Sequence, residues 1–326
     1  MTELSTTYMG LKLTTPIIAG ASRMTGSLDG IKQCVRAGAG AVVLKSIFEE
    51  QIQAQVAAEL DQADGGLYHT EAADYVSQYS RENAVGEYLE LIRRAKRSVS
   101  VPVIASVHCK SAGTWIEFAE RAAEAGADGL ELNVFALPSD AGRDADSYER
   151  VYFDLASKVT SRVGVPVALK VSPHFTALAR TLGQLSRTGI AGLVLFNRFL
   201  QPDIDIEASR IVHARYTSEP GELALPLRWV GLLAGDVGCD LCASTGVHDG
   251  AAVVKQLLAG AAAVQVASAL YLHGVKQLSL MLAETRAWMT RHGHSNIDEF
   301  RGTVGLGGDA AALERVQFMK SVSGME

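Results

Sequence analysis

The chain has little of what secreted, fibrous or membrane-spanning proteins need. Its four cysteines (Cys34, Cys109, Cys239 and Cys242) are too few among 326 residues for a disulfide framework, which predicts a reducing cytoplasm. Eight prolines and 31 glycines are too few for a fibrous protein. The longest apolar stretch, residues 251–270, is interrupted by Lys255 and Gln256, so no membrane span is expected. The N-terminus lacks a basic patch followed by an apolar run, so we expect no secretory signal.

Basic charge is also scarce. The sequence has 30 Lys and Arg against 36 Asp and Glu, a formal net charge of −6. Proteins that bind nucleic acids or anionic membranes show a basic patch or stripe, so neither partner is expected. What the sequence does have is a folded composition, with 48% hydrophobic and 20% charged residues. That is enough for a large core, in two domains or in one α/β barrel.

One pattern occurs four times along the chain: a helix-like segment ends in Ala-Gly or Thr-Gly, and a short apolar strand follows at once. The repeats lie at residues 36–45, 124–133, 187–197 and 258–267. Glycine closes a helix in the left-handed conformation, and a continuously apolar strand is typical of a parallel sheet covered on both faces. Eight strands are predicted, at residues 16–19, 41–45, 101–108, 129–133, 165–171, 192–197, 239–244 and 262–267.

Eight such units predict a single-domain (β/α)8 TIM barrel over residues 1–302, with residues 303–326 as a C-terminal tail. The three longest insertions, at residues 48–83, 136–146 and 198–225, follow strand C-termini. That end of a barrel carries the active site in enzymes of this architecture.

Polar side chains close the predicted strands. Lys45, Asn133, Lys170 and Asn197 end otherwise apolar segments, where a lysine has lost hydration and favours an anion or a strong acceptor. Together they predict a site for a polar, planar, electron-rich ligand. The last two strand ends consist of small residues, which let backbone N–H groups approach a phosphate. These phosphate-site residues are Ser244, Thr245, Gly246, Ala267 and Ser268.

The order and spacing of these motifs resemble the dihydroorotate dehydrogenases, most closely their soluble class. The resemblance covers about residues 4–302 and rests on motifs found along the barrel. They are Lys45-Ser46, Glu131-Leu-Asn133, Ala168-Leu-Lys170 with Ser172-Pro173, Phe196-Asn197, Ser244-Thr-Gly-Val247, the run 260–270 and Ile297-Asp-Glu-Phe-Arg-Gly302.

The resemblance implies an FMN enzyme that transfers hydride from substrate to the flavin N5, as in the oxidation of dihydroorotate to orotate in pyrimidine biosynthesis. Lys45 would lie between flavin and substrate, and Asn133 and Asn197 would bind both. Lys170 would face the flavin N1/O2 edge. The remaining implied flavin contacts are Ala21, Ser22 and Ser46 along the ring, with Ser244, Thr245, Gly246, Ala267 and Ser268 around the phosphate. The resemblance also suggests a homodimer and a small-molecule substrate.

The substrate half of the pattern differs from the family. The family's base is a Cys or Ser directly before a Pro, and here Leu137 precedes Pro138. Ser139 and Cys109 are the candidate replacements as catalytic base. A flavin enzyme with a different substrate is therefore one alternative. A barrel lyase that forms a Schiff base through Lys170 or Lys45 is another. The sequence predicts no metal site, since Cys239 and Cys242 lack a second ligand pair.

Overall fold

A closed parallel barrel forms the body of the chain. The computed structural model describes residues 2–48, 70–108, 112–134, 136–213, 215–304 and 313–314. Its strands are β1 (Thr6–Tyr8), β2 (Leu11–Leu13), β3 (Ile17–Ala19), β4 (Ala41–Val43), β5 (Ile47–Phe48), β6 (Val103–His108), β7 (Gly129–Asn133), β8 (Val167–Val171), β9 (Gly192–Leu195), β10 (Pro202–Asp205), β11 (Arg210–His213), β12 (Asp240–Ser244) and β13 (Ala263–Val266). The barrel order is β3-β4-β6-β7-β8-β9-β12-β13, and β13 pairs with β3 to close it. The predicted (β/α)8 fold is confirmed.

Helices connect the barrel strands. They are α1 (Leu28–Arg36), α2 (Thr70–Ser98), α3 (Ala112–Glu124), α4 (Ala145–Thr160), α5 (Leu178–Leu185), α6 (Ala224–Leu233), α7 (Gly250–Ala259), α8 (Ser268–His273) and α9 (Lys276–His292), with 3-10 turns at Arg23–Gly26, Pro220–Leu223 and Ile297–Glu299. The four repeats end their helices as predicted. Gly38, Gly126, Gly189 and Gly260 have φ of 103°, 98°, 92° and 119°, the left-handed region that favours glycine. No helix in these ranges is long and apolar enough to cross a bilayer.

An antiparallel hairpin of β1 and β2 fills the N-terminal end of the barrel. Tyr8 and Met9 are buried there, and the Met9 N–H donates to Asp240 Oδ2 at 2.7 Å, at the start of β12. The hairpin packs so closely that a Cβ on Gly192 would lie 2.8 Å from the Tyr8 hydroxyl, and one on Gly129 would lie 3.0 Å from Met9 Cε. The hairpin can therefore pack here because β7 and β9 both begin with glycine.

Two barrel strands end two residues earlier than predicted. The second barrel strand was expected over residues 41–45, but β4 ends at Val43 and the chain resumes as β5, which pairs with the far end of β6. Lys45 lies in the break, where its N–H donates to Thr25 O at 3.3 Å. The sixth barrel strand was expected to reach residue 197 but ends at Leu195. The insertion at residues 198–225 contains the β10–β11 hairpin.

Candidate active site

One cavity of about 460 Å³ lies at the C-terminal rim of the barrel. All twelve residues predicted to bind the cofactor line it. They are Ala21, Ser22, Lys45, Ser46, Asn133, Lys170, Asn197, Ser244, Thr245, Gly246, Ala267 and Ser268. The two lysines therefore reach one cavity together with the small-residue turns, which is what the sequence interpretation requires. The volume lies within the range of small-molecule and cofactor sites.

Two buried oxygens on the cavity wall have no internal partner. Asn133 donates from Nδ2 to Ser46 Oγ at 3.3 Å, and Ser46 Oγ lies 2.7 Å from Ser106 Oγ. That chain fixes the amide and leaves Asn133 Oδ1 without a hydrogen bond, and Ser22 Oγ is also unpaired within the described ranges. Buried polar groups are normally satisfied, so these two oxygens indicate a ligand that brings its own hydrogen-bonding groups.

Asn197 is held by backbone at the neighbouring strand ends. Its Nδ2 donates to Val134 O at 3.1 Å and Lys170 O at 3.3 Å. These contacts tie the ends of β7, β8 and β9 together, and they leave the amide oxygen as the group that Asn197 can offer a ligand. Asn133 and Asn197 thus present two oriented amides to the cavity.

The turn after β12 forms the end of the cavity that is predicted to hold a phosphate. Thr245 and Gly246 have positive φ of 82° and 76°. A Cβ on Gly246 would lie 2.1 Å from Leu223 N, so glycine is required where the 3-10 turn Pro220–Leu223 packs against this loop. Ser218 joins the turns: its N–H donates to Ser268 Oγ at 2.8 Å, and its Oγ accepts from Gly246 N at 3.3 Å.

His248 lies directly behind this turn. It is buried, and its Nε2 lies 3.0 Å from Ser218 Oγ. Burial, and next the charge of His273, lower the pKa of His248, while the contact with Ser218 opposes the shift. The imidazole is therefore kept neutral, which suits a hydrogen-bonding role in supporting the loop.

A polar network lies beneath the cavity, inside the barrel. Lys170 Nζ donates to Gln265 Oε1 at 2.9 Å and lies 3.8 Å from Glu131 Oε1. The Gln265 amide in turn donates from Nε2 to Glu131 Oε2. Lys170 and Gln265 both line the cavity, whereas Glu131 is only 1% exposed. The pocket floor therefore carries an ammonium group backed by a buried carboxylate.

The structure describes only one of the two candidate bases. Ser139 is exposed, its N–H donates to Leu137 O at 2.9 Å, and it is not among the cavity-lining residues. Cys109 lies outside the described residues. Of the other cysteines, Cys242 packs inside the barrel and Cys239 packs against the outer core. Within the described residues, no group of three or more His, Cys, Asp or Glu could hold a metal ion.

Several residues that line the cavity were not predicted from the sequence. Gln265 stands two residues before Ala267 on the eighth strand, so the two-residue period of a strand could have placed it on the inner face. Arg198 also lines the cavity. Its Nε lies 2.7 Å from Glu222 Oε2, and its Nη1 donates to Arg215 O at 3.0 Å. Tyr216 and Tyr271 come from distant segments, with ring centroids 6.2 Å apart, and no local pattern predicts their meeting.

Oriented amides, lysines and tight turns on one barrel rim are features of barrel enzymes that hold a phosphorylated cofactor at the ends of their last strands. The comparisons with known proteins agree with that class. The sequence model described as "Dihydroorotate dehydrogenase" matches residues 81–289. The chain belongs to the dihydroorotate dehydrogenase family, and it is a flavin-dependent dehydrogenase that acts on CH–CH groups.

Curated relatives span nearly the whole chain. The catalytic subunit of dihydroorotate dehydrogenase B (NAD(+)) from Methanothermobacter thermautotrophicus is 30% identical over 308 residues, covering 92% of this chain and 97% of that protein. Its counterpart from Thermoplasma volcanium is 26% identical over 312 residues, covering 93% and 99%. The chloroplastic dihydropyrimidine dehydrogenase (NADP(+)) of Arabidopsis thaliana is 23% identical over 332 residues, covering 92% and 76%. These relatives favour the oxidoreductase over the barrel lyase.

Proposed function

We propose that the chain is an FMN-dependent oxidoreductase that oxidises a CH–CH bond in a small ring substrate, with dihydroorotate as the reference substrate. The observation that carries the proposal is the convergence of all twelve predicted cofactor residues on one cavity. Two further features of the cavity support this cofactor. Two buried oxygens, on Asn133 and Ser22, lack a partner within the described residues, and close packing of Gly246 on Leu223 holds the turn after β12 in place beside the cavity.

The residues divide the work of holding the cofactor. Thr245, Gly246, Ala267 and Ser268 line the end of the cavity that we assign to the phosphate, where small residues let the backbone approach it closely. Ser22, Ser46 and Asn133 border the space for the ring, and Lys170 provides positive charge on its floor. FMN, when bound, supplies the acceptor for a hydride.

The chain itself must orient the substrate and take one proton. Oxidation of a CH–CH bond to C=C removes a hydride from one carbon and a proton from its neighbour. Asn133 and Asn197 orient the ring, Lys45 contacts it, and Cys109 or Ser139 takes the proton. Because the segment before Pro138 differs from the family pattern, a substrate other than dihydroorotate is the specific alternative.

The visible spectrum of the purified protein tests the proposal. We expect an oxidised-flavin spectrum that bleaches with dithionite, and anaerobic bleaching with dihydroorotate if that is the substrate. A flavin spectrum that dithionite bleaches and dihydroorotate leaves unchanged would point to a different ring substrate. A colourless protein that takes up no added FMN would refute the proposal.

The homodimer and the cytoplasmic location stay predictions. The homodimer is checked by size-exclusion chromatography of the holoenzyme with light scattering, which gives its mass in solution. A mass of 34.7 kDa, that of one chain, would contradict it. The cytoplasmic location is checked by fractionation of cells that express the full chain.

A further inference from the structure

The strongest unassigned feature is the carboxylate inside the barrel. Glu131 lies on β7 with its side chain 2% exposed, directly paired in register with Ser106 on β6 and with Ala168 on β8. The surrounding layer is otherwise made of small or apolar groups, including Ile104, Ala168 and Cys242. A carboxylate is costly to bury in such surroundings, so it is expected only where a partner needs it.

That partner is Lys170. Its Nζ lies 3.8 Å from Glu131 Oε1, and Gln265 links the two groups by donating to Glu131 and accepting from Lys170. The direction of this link is fixed by chemistry: a carboxylate can only accept, so the Gln265 amide must turn its N–H toward Glu131 and its oxygen toward Lys170. Glu131 therefore determines which group faces the lysine.

We propose that Glu131 and Gln265 are positioning residues that hold the Lys170 ammonium at the cavity floor and attenuate its charge, and thereby set the reduction potential of the bound flavin. This inference rests on the proposed function, since it requires FMN in the cavity. Uncompensated, the ammonium would favour the more negatively charged, reduced flavin strongly. The carboxylate behind it reduces that preference, which keeps the reduced cofactor able to pass electrons on.

Tyr8 lies in the same interior layer, on the side of the β1–β2 hairpin. Its hydroxyl is buried without a hydrogen bond in the described chain. Burial, then charges on Cys242 and Glu131, raise its pKa well above 10.0. The phenol therefore stays neutral and adds no charge of its own. Tyr8→Phe is accordingly a matched control, because it alters packing in the same interior layer without changing any charge.

The test is the midpoint potential of the purified holoenzyme, measured by equilibration with a dye of known potential. Glu131→Gln keeps the shape and removes the negative charge. We expect it to favour the reduced over the oxidised flavin at least tenfold more than the wild type does, an upward shift of about 30 mV for two electrons. Tyr8→Phe is expected to change that ratio less than threefold.

A charge swap keeps the test decisive if Glu131→Gln does not fold. In the double variant Glu131→Gln/Gln265→Glu, one carboxylate and one amide remain, and the carboxylate now stands at the position 2.9 Å from Lys170 Nζ. Its potential is expected at or below that of the wild type. A potential above the wild type in the swap, or an unshifted potential in a folded Glu131→Gln holoenzyme, would overturn the inference and leave the proposed function standing. A protein that binds no flavin would instead overturn both.

Discussion

Replacement of Gly246 by alanine tests the packing behind the proposed phosphate turn. A Cβ at this position would lie 2.1 Å from Leu223 N and 2.6 Å from Leu223 Cα, and contacts under 3.0 Å essentially never occur for real Cβ atoms. Either the loop or the 3-10 turn that contains Leu223 must therefore move by roughly 1 Å, in a region that is already close-packed. Gly246 also has φ of 76°, which alanine adopts at a cost.

The magnitude follows from these two terms. The left-handed conformation costs about 1–2 kcal/mol for a residue with a Cβ. Overpacking against backbone adds about 1–3 kcal/mol. We therefore expect Gly246→Ala to lower the free energy of unfolding by about 2–5 kcal/mol. FMN affinity should fall at least tenfold, because a displaced turn no longer fits the phosphate that we assign to this end of the cavity.

Gly274 offers the matched control. Its φ is 75°, almost the same as that of Gly246, but a Cβ there would have nothing within 4 Å. Gly274→Ala should therefore show only the conformational cost of about 1–2 kcal/mol. Urea titrations followed by circular dichroism compare the two variants, and fluorescence titration gives the FMN affinity. Equal losses of stability in both variants, with FMN affinity unchanged, would refute the close packing of Leu223 on Gly246.

Three further predictions concern the chemistry and its support. Lys45→Ala should lower kcat/KM by about 10²-fold or more in stopped-flow reduction, as expected for loss of a charged group beside the reacting atoms, and a fall under threefold would contradict its assigned place. The double variant Cys109→Ala/Ser139→Ala should reduce the cofactor about 10²-fold more slowly, because a general base contributes a factor of that size. The single variants then identify which residue acts as the base. An unchanged rate in the double variant would exclude both residues. Because burial lowers the pKa of His248, the unfolded chain binds its proton more readily than the fold does, so the free energy of unfolding should fall as the pH drops below about 6.5. His248→Gln should lessen that fall, and an identical pH dependence in the variant would count against the assignment.

Local sequence signals were enough to predict the barrel. The four helix-ending glycines with positive φ, followed at once by apolar strands, fix where each repeat turns back into the sheet. Parallel strands in one barrel end at the same rim, so Lys45 and Lys170 could be placed in one cavity without knowing any contact between them.

What local signals could not give are the contacts made across the barrel. The hydrogen bond between Gln265 and Glu131 joins residues 134 positions apart, and its existence depends on side chains from opposite strands meeting in the interior. The β1–β2 hairpin was not predicted, because strands of three residues carry little periodicity. The break at Lys45 has the same origin: it results from tertiary pairing of β5 with β6, which overrides the local pattern of the segment.

The β1–β2 hairpin, which fills the N-terminal end of the barrel, has a consequence for the kinetics. Tyr8, Met9 and Leu13 fill the N-terminal end of the barrel. The hydride donor and the electron acceptor are therefore expected to reach the cofactor through the same opening, at the C-terminal rim. The donor and the acceptor would then bind in turn, and the oxidised product would leave before the acceptor binds. Initial-rate plots at several fixed acceptor concentrations should accordingly give parallel lines, the mark of a double-displacement sequence.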